Sequence, residues 1–180
     1  MAGRHVALLR GINVGRAKRV AMADLRVMVA ELGYGAVQTL LNSGNVVFTV
    51  PSGNRADPAP RLERALASRL GVTSRVTVLT AAEVAEIVAK NPLHKVADNP
   101  SRLLVFVLTH PPDRSKLQSL TEQDWAPEAL ALGRRAAYLW CPAGSIDSRL
   151  AAAVGKILGD AVTSRNWATM TKLHALAGQL

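Results

Sequence analysis

The chain is predicted to be an α+β protein with two similar ferredoxin-like halves, each a βαββαβ unit with an antiparallel sheet and helices packed on one face, followed by a C-terminal helix. Three observations predict this. Apolar runs of strand length alternate with segments of helical period in the order βαββαβ, and that order occurs twice in 180 residues. Each copy contains two strand-like runs joined by a turn sequence, the mark of a hairpin inside the unit. Local matches run parallel to this order: PSG (51–53) against PAG (142–144), and RLERALASRLGVTSR (61–75) against RLAAAVGKILGDAVTSR (149–165).

In the first half, HVALLRG (5–11) reads as a short buried strand and INVGRAKRV (12–20) as a loop. Leu25, Met28, Val29 and Leu32 then recur at helical spacing, and Gly33 ends that helix. VQTLLNSGNVVFTV (37–50) reads as two strands around NSGN, whose Asn and Gly residues suit the positive φ of a tight hairpin. Leu62, Leu66 and Leu70 mark a helix stopped by Gly71, and RVTVLT (75–80) is a strand. AAEVAEIVAKN (81–91) forms a connecting helix with Thr80 as N-cap and Pro92 as terminator, and PLHKVADNP is an irregular link.

The second half repeats the order. RLLVFVLT (102–109) is a strand, PDRSKLQSLT (112–121) a short helix, EALALG and RAAYLWC a hairpin, SRLAAAVGKILG (148–159) a helix and AVTSR (161–165) a final strand. The expected domains are residues 1–80, a connecting helix and linker over 81–100, and 101–180 with the C-terminal helix.

Composition narrows the function classes. With 49% hydrophobic and 19% charged residues, the chain has enough apolar material for a packed core. No apolar run approaches the roughly 20 residues a membrane span needs, and MAGRHVALLRGIN has no secretory cleavage pattern, so a cytoplasmic location and no membrane partner are expected. The single Cys141, in the apolar run AAYLWC, leaves no internal disulfide or multi-thiolate site and reads as a buried, inert thiol. His5, His94, His110 and His174 fit no ligand spacing, so neither metal nor cofactor is expected. Ser43 is not in a nucleophile elbow, and Glu83 with Glu86 and Glu122 with Asp124 read as solvated charges.

The net charge is +9, with 22 basic residues against 13 acidic ones, and a surplus of that size steers anions. Topology suggests where they would go. In a βαββαβ unit the end of the first strand and the turn between the second and third strands share one edge, so RGIN and NSGN should be neighbours. That gathers Arg10, Asn13, Ser43 and Asn45 with the amides of Gly11, Gly15 and Gly44, beside the start of the helix near Met22. Arg16, Lys18 and Arg19 stand close by, and a helix start offers free N–H groups and partial positive charge. GINVG is neither a Walker loop nor a dinucleotide fingerprint. The competing reading is that these glycines shape turns and the asparagines bond their own backbone.

TSRNWATMTKL (163–173) is the second locus. Asn166 can cap a helix that begins at Trp167 and ends at Gly178, with Trp167, Met170, Leu173 and Ala177 on its apolar face. Arg165, Asn166, Thr169 and Lys172 would face a ligand, while Trp167 packs as an anchor or stacks on a base.

LLRGINVG, LGYGAVQTLLNSGNVVF, NP near residue 91 and TSRNWATMTKL together resemble the bacterial family called Domain of Unknown Function 1697, nearly end to end. The resemblance implies an α+β fold with two similar halves and brings no established activity, substrate or cofactor. Its motif residues here are Arg10, Gly11, Asn13, Gly15, Ser43, Gly44, Asn45, Arg165, Asn166, Trp167 and Thr169. Arg16 stands where a second Gly is common and Ala168 where Asn is common, so no side-chain role at 168 carries over.

Two functions follow. One is a non-catalytic binding module for an anionic partner, a phosphorylated small molecule or nucleic acid. The other is an enzyme acting on a phosphate- or carboxylate-bearing small molecule, with Arg10 and Arg165 as charge clamps and Asn13, Ser43 or Asn166 orienting the substrate. The strand aromatics Phe48, Phe106, Tyr138 and Trp140 match no RNP motif, so a nucleic acid would be held through its phosphates.

Overall fold

In the computed structural model, which describes residues 3–15 and 18–179, the chain divides into two compact units. One comprises Met1–Val84 with Leu173–Leu180, the other Ala85–Lys172. The first contains β1 (Gly3–Leu9), α1 (Met22–Glu31), β2 (Gly35–Leu40), β3 (Asn45–Val50), α2 (Pro58–Leu70) and β4 (Val76–Thr80). Its sheet runs β2-β3-β1-β4 with every neighbouring pair antiparallel, the ferredoxin-like order expected from the sequence. Ala7, Leu9, Val46 and Phe48 pack with Leu25, Met28 and Val29 of α1 and Leu62 and Leu66 of α2. Asp57 caps α2 by accepting from the Ala59 amide at 3.0 Å, Pro58 opens it, and Gly71 closes it in the left-handed region.

β1 ends with its apolar run at Leu9, two residues before the predicted strand does, because Gly11 turns the chain at φ +65°. The hairpin turn occupies residues 41–44, but its positive φ angles fall on Leu41 (+58°) and Gly44 (+79°), not on the asparagines. Asn45 serves the turn through its side-chain hydrogen bonds instead, and Asn42 offers its main-chain carbonyl to Asn13.

The second unit repeats the plan with β5 (Leu103–Leu108), β6 (Ala129–Leu132), β7 (Ala136–Trp140), α4 (Arg149–Leu158) and β8 (Val162–Asn166), in the sheet order β6-β7-β5-β8. The short helix expected after β5 is a run of 3₁₀ turns over Pro111–Glu122. Leu117 and Leu120 are its buried residues; a spacing of three aligns them on one face of a 3₁₀ helix and suits an α-helix equally. Ser148 caps α4 by accepting from the Ala151 amide at 2.9 Å.

Every residue of β5 and of β7 is buried, and in β1 and β3 buried residues of both parities occur: Val6, Leu8 and Val47 as well as Ala7, Leu9 and Phe48. Side chains alternate between faces along a strand, so both faces of the central strands are covered. This explains why LLVFVL and AAYLW read as continuous apolar runs without alternation.

Register identifies the equivalent positions of the two halves. Val76 pairs with Leu9 at the end of β1, as Val162 pairs with Leu108 at the end of β5. The VTSR at 72–75 therefore precedes β4, whereas the VTSR at 162–165 lies within β8, and the sequence match does not mark equivalent residues. The true counterparts are Thr80, opposite His5, and Asn166, opposite Leu104. Each leads from strand straight into helix, α3 (Ala81–Ala89) and α5 (Trp167–Gly178). Thr80 and Glu83 form a capping box: the Glu83 amide donates to Thr80 Oγ1 at 3.2 Å and the Thr80 amide to Glu83 Oε2 at 2.8 Å. Glu83 is thus a capping group and not the solvated charge the sequence suggested. Thr80→Ala is expected to cost about 1 kcal/mol in urea denaturation, within the usual range for losing such a cap.

The boundary between the units falls inside both of these helices. Residues 81–84 go with the first unit and the rest of α3 with the second, while residues 167–172 go with the second and the rest of α5 with the first. The sequence reading places the whole C-terminal helix in the second half. Its last turns instead group with β1, where Arg4 Nη1 donates to Leu176 O at 2.7 Å. In the second unit, Tyr138 of β7 donates its hydroxyl to Ile87 O of α3 at 2.8 Å.

Burial, and secondarily the charge of Glu86, push the Tyr138 phenol up to about 12. A folded value above the ordinary 10 favours folding while the phenol is protonated, so the contribution is complete below pH 10 and lost as pH rises through 12. The rise from 10 to about 12 corresponds to roughly 2.7 kcal/mol. Denaturation at pH 9 and pH 12 should show that loss in the wild-type protein and a correspondingly smaller one in Tyr138→Phe.

Candidate functional site

The topological expectation for the first unit holds: the RGIN and NSGN segments lie at the same end of the sheet. Leu8 pairs with Asn45, and the Leu9 amide donates to Gly44 O at 2.8 Å. Asn13 ties the two loops together. Its Nδ2 donates to Val20 O at 2.9 Å and to Asn42 O at 2.7 Å, and its Oδ1 accepts from the Val20 amide at 2.8 Å. The backbone of Asn13, at φ +53°, donates to Lys18 O at 3.0 Å. Asn is the non-glycine residue that best tolerates such a conformation, and both hydrogens of its amide are spent on closing the 13–20 loop and docking the hairpin.

Asn45 is fully buried; its Nδ2 donates to Leu40 O at 2.8 Å and to Ser43 Oγ at 2.9 Å. Gly44 is glycine for packing as well as for backbone reasons. A Cβ there would lie 2.7 Å from both Leu9 Cβ and Ile12 Cδ1, at φ +79°. At Gly11 and Gly15 a Cβ would meet nothing within 4 Å, so these two glycines serve the turn and leave open space beside the backbone.

Arg10 is fixed through its main chain. Its amide donates to Arg75 O at 2.9 Å and to Ser74 Oγ at 3.1 Å, and Ser74 Oγ donates back to Arg10 O at 2.9 Å. Ser74 is buried and was not singled out in the sequence; a serine just before a strand was its only signal. Lys18 and Arg19 are exposed on the same loop, and Arg16 lies outside the described residues. The loop leads into α1, where Ala21 occupies the N-cap position without a side-chain hydrogen bond and Asp24 stands in the first turn.

Arg165, Asn166, Trp167, Thr169 and Lys172 belong to the second unit, at the junction of β8 and α5. Asn166 Oδ1 accepts from the Thr169 amide at 2.9 Å, the cap expected from the sequence. Met170, Leu173 and Ala177 are buried, Trp167 is half-buried, Thr169 is buried and Lys172 is exposed. Thr169 therefore sits in the packed part of the helix and not on its exposed face. Arg165 Nη1 donates to Ser164 O at 2.8 Å, and burial lowers its guanidinium to about 10, which leaves it a cation at neutral pH.

Cys141 is buried, its Sγ 3.3 Å from Ser148 Oγ, and burial raises its thiol above the ordinary value. It is held as the thiol, not the reactive thiolate. Among the described residues no group of three His, Cys, Asp or Glu side chains converges, and no helix is long and apolar enough to cross a membrane.

No curated protein matches the chain. Among solved structures, it is similar to the conserved bacterial protein SP0830 from Streptococcus pneumoniae, with a TM-score of 0.80 at 23% identity over 98% of this chain and 99% of that one. Identity at that level speaks for the fold, and the fold it supports is the paired four-stranded architecture described above. The model of a family described as a protein of unknown function, DUF1697, matches residues 2–138, which include the loop clamped by Asn13 and the hairpin it holds, and the chain belongs to that family.

Proposed function

We propose that the protein is a non-catalytic binding module for an anionic ligand, a phosphorylated small molecule or a nucleic acid, at the loop rim of its first unit. The observation that carries this reading is the Asn13 clamp, which fixes the loop bearing Lys18 and Arg19, just after Arg10, next to an α1 start that has no side-chain cap. The helix end alone contributes on the order of 0.3–1 kcal/mol toward an anion, and Asp24 in the first turn opposes it. The cations must supply most of the attraction. In this reading Arg10, Lys18, Arg19, Ser43 and the amides of Gly11 and Gly15 are the contacts, while Asn13, Gly44 and Asn45 build the scaffold. Arg165, with exposed Lys172, is a further cationic locus in the second unit.

The buried sheets favour a phosphorylated ligand recognised through its phosphate over one recognised through stacked bases. Phe48, Phe106, Tyr138 and Trp140 are at most 8% exposed, so the strands offer no stacking platform. Calorimetric titration with inorganic phosphate and with a single-stranded oligonucleotide, at low and at high salt, tests the reading. Arg10→Ala should weaken phosphate binding about tenfold, the loss of one charge-assisted hydrogen bond, and Lys18→Ala with Arg19→Ala, which removes two cations, by more than that, with the melting temperature unchanged in both. Oligonucleotide affinity should fall with a log–log slope near −0.7 per phosphate contacted. Unaltered affinity in both variants would remove the rim as the site.

A further inference from the structure

A second basic feature lies away from the rim, on the outer side of α2. Arg61, Arg64 and Ser68 follow one another at i, i+3 and i+7, so they form one stripe along the helix. With Arg69 and Leu32, at the end of α1, they line an open cleft of about 230 Å³. Neither the sequence reading nor the family assigns it a role.

Three guanidiniums meet there against one carboxylate. Arg61 is pre-positioned: its Nη2 donates to Leu32 O at 3.0 Å, its Nη1 reaches the Tyr34 hydroxyl at 3.4 Å, and its guanidinium carbon lies 5.3 Å over the Tyr34 ring. The bond to Leu32 O also answers the partial negative charge at the end of α1. Arg69 pairs with Glu31, but the two side chains are 44% and 56% exposed, and an exposed pair of this kind is weak enough to be exchanged for a better partner. Arg64 is exposed at the cleft, one helical turn from the Ser68 hydroxyl.

We propose that this cleft is a second anion site, which takes the phosphoryl group of a small phosphate monoester. The guanidinium fork matches two phosphate oxygens at once, whereas a halide offers one monovalent acceptor atom in place of that pair. Ser68 adds a hydroxyl donor, and the fixed guanidinium of Arg61 needs no reordering on binding. The cleft is large enough for a phosphoryl group and the few atoms attached to it, and it holds no aromatic ring facing a nucleobase. The site is independent of the rim: it uses none of Arg10, Lys18 or Arg19.

The test is an amide NMR titration of the full chain with inorganic phosphate, with chloride at matched ionic strength as control. Saturable shifts are expected at residues 61–69 with phosphate and none with chloride. Arg64→Ala should weaken that response about tenfold, Ser68→Ala should weaken it less, and Arg64→Lys should recover only part, because an ammonium lacks the fork. A variant with Arg10, Lys18 and Arg19 all changed to Ala should leave the α2 response intact even if the rim response disappears. Linear, unsaturated shifts, an equal response to chloride, or an unchanged response in both Arg64→Ala and Ser68→Ala would overturn the proposal.

Discussion

Gly44→Ala is expected to destabilise the protein by about 2–5 kcal/mol. Two costs add. A non-glycine residue at φ +79° loses roughly 1–2 kcal/mol to the contact of its Cβ with the following carbonyl. The new methyl would also stand 2.7 Å from Leu9 Cβ, which is set by the backbone of β1 and cannot rotate away, and 2.7 Å from Ile12 Cδ1, which can. Overpacking of that kind costs a further 1–3 kcal/mol or so. Gly11→Ala supplies the control, because its φ of +65° carries the same backbone cost while the space around it is open. Urea denaturation should rank Gly44→Ala well below Gly11→Ala; equal losses would show that the hairpin does not pack on Leu9 and Ile12.

Asn13→Ala is expected to cost roughly 3–4 kcal/mol and to weaken anion binding at the rim along with it. The side chain makes three hydrogen bonds, each worth about 1 kcal/mol net, and alanine tolerates φ +53° less well than asparagine. Asn13→Gly separates the two terms, since glycine removes the bonds but not the backbone fit, and it should recover part of the stability and none of the binding. The pairing matters for function because the same three bonds hold the loop that carries Lys18 and Arg19. Stability lost with full phosphate affinity retained would disconnect the clamp from the rim.

Much of this architecture was legible in the chain. The continuous apolar runs of β5 and β7, the leucine spacing of α2 and the Thr80 cap each follow from local physics that the tertiary structure reinforces, whereas the part Glu83 plays in that cap was missed. The shared end of RGIN and NSGN was also legible, because right-handed crossovers leave a βαββαβ unit little choice. What escaped was set by long-range contacts. A Leu117 to Leu120 spacing of three fits both helix types, so the leucines that pack into the second unit's core do not tell a 3₁₀ run from an α-helix. The repeated VTSR looked like register but was not, because register is set by the pairing of Leu9 with Val76 and Leu108 with Val162. The roles of Asn13 and Asn45 were the hardest to assign, since an asparagine in a glycine-rich loop serves a ligand or its own backbone with the same atoms. Here the backbone uses them, and in the proposed reading the cations around them make the ligand contacts. The α2 cleft was hidden because RLERALASRL reads first as an amphipathic stripe of leucines, and its arginines pass as ordinary surface charge.

The most direct test of the rim is the amide spectrum of residues 10–24 during phosphate titration at constant ionic strength. Saturable shifts centred on Gly11, Met22 and Ala23, abolished when Arg10, Lys18 and Arg19 are replaced together, are the expected result. Flat amide positions across that segment at saturating phosphate would mean that the clamped loop is architecture alone.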